Sequence, residues 1–150
     1  MVYENKQIGW LVIIISLVIM MSLNIFYVFN IGTDPITIEL LLVLMLVFVL
    51  VLLFFYKLTI RVDHLGIHVI YGIGLVHIKI LPERINRIKI VKTPWYSGYG
   101  IRVTEKGMLY NIQGRNAIEI SYFKGTNKTV QIGSNDALNL KRFLEQAYRV

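Results

Sequence analysis

The chain contains no cysteine among its 150 residues, which removes disulfides, thiolate metal sites and cysteine nucleophiles, and nothing points to an oxidising compartment for its polar part. Acidic residues are scarce as well, with nine Asp and Glu against 16 Lys and Arg. Charge of either sign nearly vanishes from the first third of the chain. What is abundant is apolar: 55% of the residues are hydrophobic and the mean hydropathy is +0.59, more than an ordinary soluble domain carries. Part of the chain is therefore expected in lipid. The stretch from Lys57 onward, about 94 residues, suffices for one compact domain with a modest core.

Residues 8–28 carry no charge, and their polar interruptions are mild: Ser16, Ser22 and Asn24. Residues 36–56 contain a single charge, Glu39. At about 1.5 Å rise per residue each run crosses a hydrocarbon core of about 30 Å, so both read as transmembrane helices joined in a hairpin. A cleaved signal peptide is disfavoured because the first run exceeds the usual apolar segment and no small-residue cleavage site precedes the second run. The loop from Asn30 to Pro35 has no Lys or Arg, whereas Lys57 and Arg61 follow the second run at once. The positive-inside bias then places both termini in the cytoplasm of a multi-pass cell-membrane protein. Trp10, Tyr27 and Tyr56 fall near helix ends, where aromatic rings favour the headgroup zone. Asn24 and Glu39 each lie near the outer boundary, so a hydrogen bond between them is one expectation; the simpler one is that Glu39 reaches headgroup water.

After Tyr56 the period changes to strand-like alternation. Ile60 and Val62 alternate with Arg61, Asp63-His64-Leu65-Gly66 supplies turn chemistry, and Ile67, Val69 and Tyr71 resume the pattern. Further short segments recur through Val76, Ile88, Ile101, Leu109, Ile118 and Ile132, separated by Gly72-Ile-Gly74, Pro94, Lys106-Gly107, Gly114 and Gly125. The expectation is seven short, mostly antiparallel strands, one fewer than these apolar segments. Leu140, Phe143, Leu144 and Ala147 then repeat at helical spacing behind a Ser134 or Asn135 cap, predicting an amphipathic C-terminal helix. The expected class is an α+β membrane protein: a helical hairpin over residues 1–56 and a cytoplasmic β-sandwich or open barrel over 57–150, closed by its last helix.

Gly98-Tyr-Gly-Ile-Arg102, Leu109-Tyr-Asn-Ile112, Gly114-Arg-Asn-Ala-Ile-Glu-Ile120 and Gln131-Ile-Gly-Ser134 resemble the bacterial PH-like domains of small two-helix membrane proteins. The resemblance spans roughly residues 58–147 and is best after Tyr96. The familiar pattern prefers Thr at Ser134 and an acidic, Pro-containing helix start at Asn135-Asp136-Ala137, departures that preserve capping. It implies a seven-stranded PH-like sandwich with a C-terminal helix plugging one end, and no activity.

Chemistry-bearing patterns are few. His64 and His68 are four apart, but Gly66 between them marks a turn, so helical metal-ligand spacing does not apply. His68 and His77 can share the outer face of a hairpin, with no further acid in sequence reach to complete a site. Gly72-Ile-Gly74 and Gly98-Tyr-Gly100 lack the context of a phosphate loop, and Ser97 and Ser121 lack a nucleophile elbow. No catalytic, cofactor or metal residue is assigned. From Lys57 on, 15 Lys and Arg stand against 6 Asp and Glu, with Arg61, Lys79, Arg84, Arg87, Lys89 and Lys92 at outer or loop positions. Near an anionic leaflet each such charge contributes about 1 kcal/mol; the simpler reading is that they keep the domain inside and soluble. Trp95, Tyr96 and Tyr99 cluster about Pro94 and Gly98, with core packing as the plain alternative to contact. The candidate partner or lipid contacts are Arg84, Arg87, Lys89, Lys92, Trp95, Tyr96, Tyr99 and Arg102. The functional expectation is a membrane-anchored, non-enzymatic module binding a protein partner or the anionic lipid surface; an accessory subunit of a larger membrane complex is the alternative and an enzyme the weaker one. Nucleic acid is not an expected partner.

Overall fold

Strand pairing begins before the first helix. A computed structural model describes residues 2–81, 85–94, 100–105, 107–122 and 129–148. Its elements run β1 (Tyr3–Ile8), α1 (Trp10–Val28), α2 (Ile38–Phe55), β2 (Lys57–Asp63), β3 (Gly66–Tyr71), β4 (Val76–Ile80), β5 (Ile85–Lys92), β6 (Gly100–Thr104), β7 (Gly107–Asn111), β8 (Asn116–Tyr122), β9 (Thr129–Gly133) and α3 (Ala137–Tyr148). The class is α+β: two long apolar helices, a body rich in β-sheet and a C-terminal helix.

β1 pairs antiparallel with β2, from Tyr3 opposite Val62 to Ile8 opposite Lys57. Residues 3–8 thus belong to the sheet, which corrects the expectation that everything ahead of residue 57 forms the helical hairpin. The strand escapes sequence reading because two of its inward positions are the amides Asn5 and Gln7, leaving no apolar alternation. Gln7 is nevertheless buried, its Nε2 donating to the Gly133 carbonyl at 3.0 Å. Eight strands rather than seven follow the helices, and with β1 there are nine among the described residues.

The strands form two sheets, ordered β1-β2-β3-β4 and β5-β8-β9-β7-β6. All pairings are antiparallel except that of β7 with β9. Leu58, Ile60, Val62, Ile67, Val69 and Tyr71 of the first sheet are fully buried with Ile118 and Ile120 of the second, and Leu140 and Leu144 of α3 complete this core. Burying each such side chain contributes about 1.5–3 kcal/mol before entropy is counted. Tyr3 packs against Phe143 with ring centroids 5.5 Å apart. Burial, with the Asp136 carboxylate nearby, pushes the Tyr3 phenol up to about 12.

The helical pair is an insertion at the tip of the β1–β2 hairpin. Just past the last strand pair, the Gly9 N–H donates to the Tyr56 carbonyl at 2.8 Å, and a Cβ on Gly9 would meet the Phe55 carbonyl at 2.8 Å and the Ile112 side chain at 2.9 Å. The β3–β4 turn closes the other side, with Gly72 N–H donating to the Lys57 carbonyl (2.7 Å) and Ile73 N–H to the Leu53 carbonyl (3.3 Å). The latter satisfies a carbonyl at the end of α2 that has no partner within the helix.

The apolar helices cover 10–28 and 38–55, each a little shorter than its hydrophobic run. Thr37 caps α2 by accepting from Leu40 N–H at 3.3 Å, and Glu39 sits in its first turn, where a negative charge suits the helix dipole. Asn24 and Glu39 are not paired. The Asn24 amide instead donates to the Met20 carbonyl at 2.8 Å and lies 3.9 Å from Met45 Sδ, while Glu39, six residues before Met45, stays exposed. Both helices are long and apolar enough to cross a membrane, and only about 6% of the residues in each are buried. A core helix of a soluble protein would be mostly buried.

Because Ile8 and Lys57 are register partners, the helical pair can be exchanged for a tight turn. A variant joining residues 3–8 to 57–148 through Asn-Gly is expected to stay soluble and unfold cooperatively, whereas the fragment beginning at Leu58, with the β2 edge uncovered, is expected to aggregate; gel filtration and thermal unfolding compare the two. A Cβ at Gly72, where φ is +55°, would run into the Leu53 carbonyl, so Gly72→Ala should lower stability by about 1–3 kcal/mol, measured by denaturation of the full chain in detergent.

Candidate functional site

The outer face of the five-stranded sheet follows from alternation. Ile88, Ile118, Ile120 and Ile132 turn into the core, so the intervening positions turn out. The register aligns one row across all five strands: Lys89, Glu119, Gln131, Leu109 and Arg102. Lys89 stands directly opposite Glu119, a favourable cross-strand pair. Gln131 Nε2 donates to Glu119 Oε2 at 2.8 Å, which fixes the carboxylate in the middle of the sheet.

A groove of about 670 Å³ lies over this face. Lys92, Thr93 and Pro94 at the end of β5 line one side, Arg102, Thr104 and Glu105 the other, and Glu119 and Gln131 the floor. Of the eight candidate contacts, Lys92 and Arg102 are therefore brought to one groove although they belong to opposite edge strands. Lys89 adjoins its floor through Glu119, and Arg87 lies in the next row, opposite Ser121. Arg84, Trp95, Tyr96 and Tyr99 lie outside the described residues. The sequence reading missed Glu119, Gln131, Thr104 and Glu105. The alternation of β8 marks Glu119 as outward, but nothing in the order of residues says that β9 would bring Gln131 beside it.

A second polar cluster occupies the outer face of the four-stranded sheet. His68 Nδ1 and His77 Nε2 are 2.8 Å apart, on β3 and β4. Such a contact requires one of the two nitrogens to carry a hydrogen and the other to accept it. The other nitrogen of His68 is 3.4 Å from Asp63 Oδ1. Asp63 thus stands beside His68, because the β2–β3 register sets Arg61 opposite His68 and Asp63 opposite Gly66, which makes Asp63 the diagonal neighbour of His68 on the outer face. Asp63 Oδ1 also accepts from Leu65 N–H at 2.8 Å, and Tyr148 OH donates to the Asp63 carbonyl at 2.9 Å, tying α3 to this corner. Burial works to raise the Asp63 carboxyl, but the Leu65 N–H together with His68 and His64 outweighs it and holds the group below the usual carboxylate range. Arg61, 3.9 Å from Asp63, is exposed beside it.

No protein family, curated protein or solved structure matches this chain. Among the described residues no group of three or more His, Cys, Asp or Glu is placed to hold a metal ion. The groove instead offers two cationic side chains, a fixed carboxylate, hydroxyls and an amide, a set suited to reversible polar recognition.

Since the Asp63 carboxyl lies below its ordinary value in the folded chain, it stabilises the fold above about pH 4 and ceases to as pH falls through the folded value. The melting temperature of Asp63→Asn should lie below that of the parent at pH 7, and the gap should close as the pH is taken below about 4. A gap constant across that range would contradict the assignment.

Proposed function

We propose that this protein is a membrane-anchored, non-enzymatic module whose PH-like body is held at the cytoplasmic face and receives a protein partner in the groove between Lys92 and Arg102. The carrying observation is the absence of a linker: the body is joined to both helices through β1, β2 and three backbone hydrogen bonds at their ends, so any partner must be met at a fixed distance from the anchor. Two antiparallel-rich sheets and a C-terminal helix that buries Ala137, Leu140 and Leu144 support the PH-like reading, with nine strands among the described residues where the pattern has seven.

Spanning by both helices is supported by their length and exposed apolar surface. Pairing of β1 with β2 argues against a removable first helix, because cleavage behind α1 would take a strand from the sheet. The loop without Lys or Arg and the basic body beyond Lys57 support an orientation with both termini in the cytoplasm. The mixed charge of the groove, with Glu105 and Glu119 beside Lys92 and Arg102, favours a protein partner over a purely anionic surface. The overall basic excess favours the lipid face as a second ligand. The same geometry suits an accessory subunit, with the outer faces of α1 and α2 free to meet other helices.

Val103 is 82% exposed on β6 next to Arg102, and a photo-crosslinking residue placed there in the full chain tests the reading in native membranes. A protein adduct that disappears when Lys92 and Arg102 are both changed to Glu is the expected result. Lipid adducts alone would replace the protein reading with the lipid one, and adducts of neither kind would retire both.

A further inference from the structure

The β3–β4 turn has the wrong chemistry for a turn in water. Hairpin tips usually carry Asn, Asp, Ser or other polar residues, but residues 72–75 read Gly-Ile-Gly-Leu. The two glycines take φ of +55° and +102°, and Gly74 N–H closes the turn on the Tyr71 carbonyl at 2.9 Å. The side chains left at the tip are Ile73 and Leu75, 59% and 63% exposed.

Their position explains them. The Ile73 N–H is bonded to Leu53 in the last turn of α2, and Gly72 packs against the carbonyls of Leu53 and Phe54. Ile73 also shares a cleft of about 440 Å³ with Ile13 of α1 and with Val49, Leu52, Leu53 and Tyr56. Val49 lies six residues before the end of α2, about 9 Å along the helix axis, so the cleft runs up the flank of the helical pair away from the body. Val49, Leu50 and Leu53 are themselves exposed, which makes the tip continuous with the apolar surface of α2. On the same rim, Lys57 Nζ sits 5.4 Å from the centre of the Tyr56 ring, a cation and an aromatic side by side as at a headgroup boundary.

We propose that the β3–β4 turn is a second membrane contact, with Ile73 and Leu75 inserted among the acyl chains of the body-side leaflet and an acyl chain occupying the cleft beside α2. The inference rests on the spanning of α1 and α2 proposed above. A hairpin tip seated in lipid next to the helix end prevents the body from tilting about its junction with the anchor, and so holds the groove at one height and orientation.

The lack of cysteine makes any introduced thiol unique, so the full chain is tested as single-cysteine variants carrying a nitroxide label in phosphatidylcholine vesicles: Ile73→Cys and Leu75→Cys at the tip, Leu46→Cys in mid-helix, and His64→Cys in the β2–β3 turn at the far end of the body. Collision with oxygen relative to a water-soluble nickel chelate reports depth. At 73 and 75 this ratio should exceed that at 64 severalfold and approach that at 46. If 46 lies in lipid while 73 and 75 behave like 64, the wedge is overturned and the spanning reading stands. A water-exposed label at 46 overturns both. Labels at 73 and 75 shielded from both reagents would mean that protein covers the tip, which also overturns the proposal. The two tip variants are read independently after each is shown by circular dichroism to keep the parent fold.

Discussion

The structure depends on the closure of the β1–β2 hairpin around the helical pair. Pairing from Tyr3–Val62 to Ile8–Lys57, followed by the Gly9 N–H to Tyr56 carbonyl bond, brings the entry of α1 and the exit of α2 to the same point of the sheet. Two long apolar helices are thereby held together at their body-side ends by the sheet that flanks them. The reverse also holds: the edge of β2 is covered only because β1 lies on the far side of the helices in sequence.

That closure has geometric consequences. A strand enters the body directly after α2, so the sheet starts at the helix end and its far rim, at Asp63 and Leu65, points away from it. The β3–β4 turn returns to the helix end and donates to Leu53, while Ile112 between β7 and β8 meets Gly9 from the second sheet. Both sheets therefore rest on the same junction. The outer face of the five-stranded sheet, with Lys92 and Arg102 on its two edge strands, is carried by this frame and not by a loop, so its polar groups are positioned by the core beneath: Ile118, Ile120 and Ile132 inward, Glu119 and Gln131 outward.

Much of this is visible in local pattern. The apolar runs, the switch to alternation after Tyr56, the turn at Asp63–Gly66 and the amphipathic spacing of α3 all lie where periodicity places them, because each is a property of neighbouring residues. What local pattern conceals are the exceptions to its rule. β1 is hidden because its inward positions include the amides Asn5 and Gln7, and Gln7 is held there by its bond to the Gly133 carbonyl instead of by apolar area. The separation of Asn24 from Glu39 turns on the stagger of two helices, which hydropathy does not encode.

The sequence alone determined that this chain has two membrane-length apolar helices, a basic β-rich body and an amphipathic last helix, since period and composition follow from the side chains themselves. Only the tertiary structure decided that the helices interrupt a hairpin, that Lys92 and Arg102 share one groove, that Asp63 lies beside His68, and that Ile73 rests against α2. Each of these joins residues distant in the chain or reverses a turn, and such contacts are set by strand order and register, which no single segment contains.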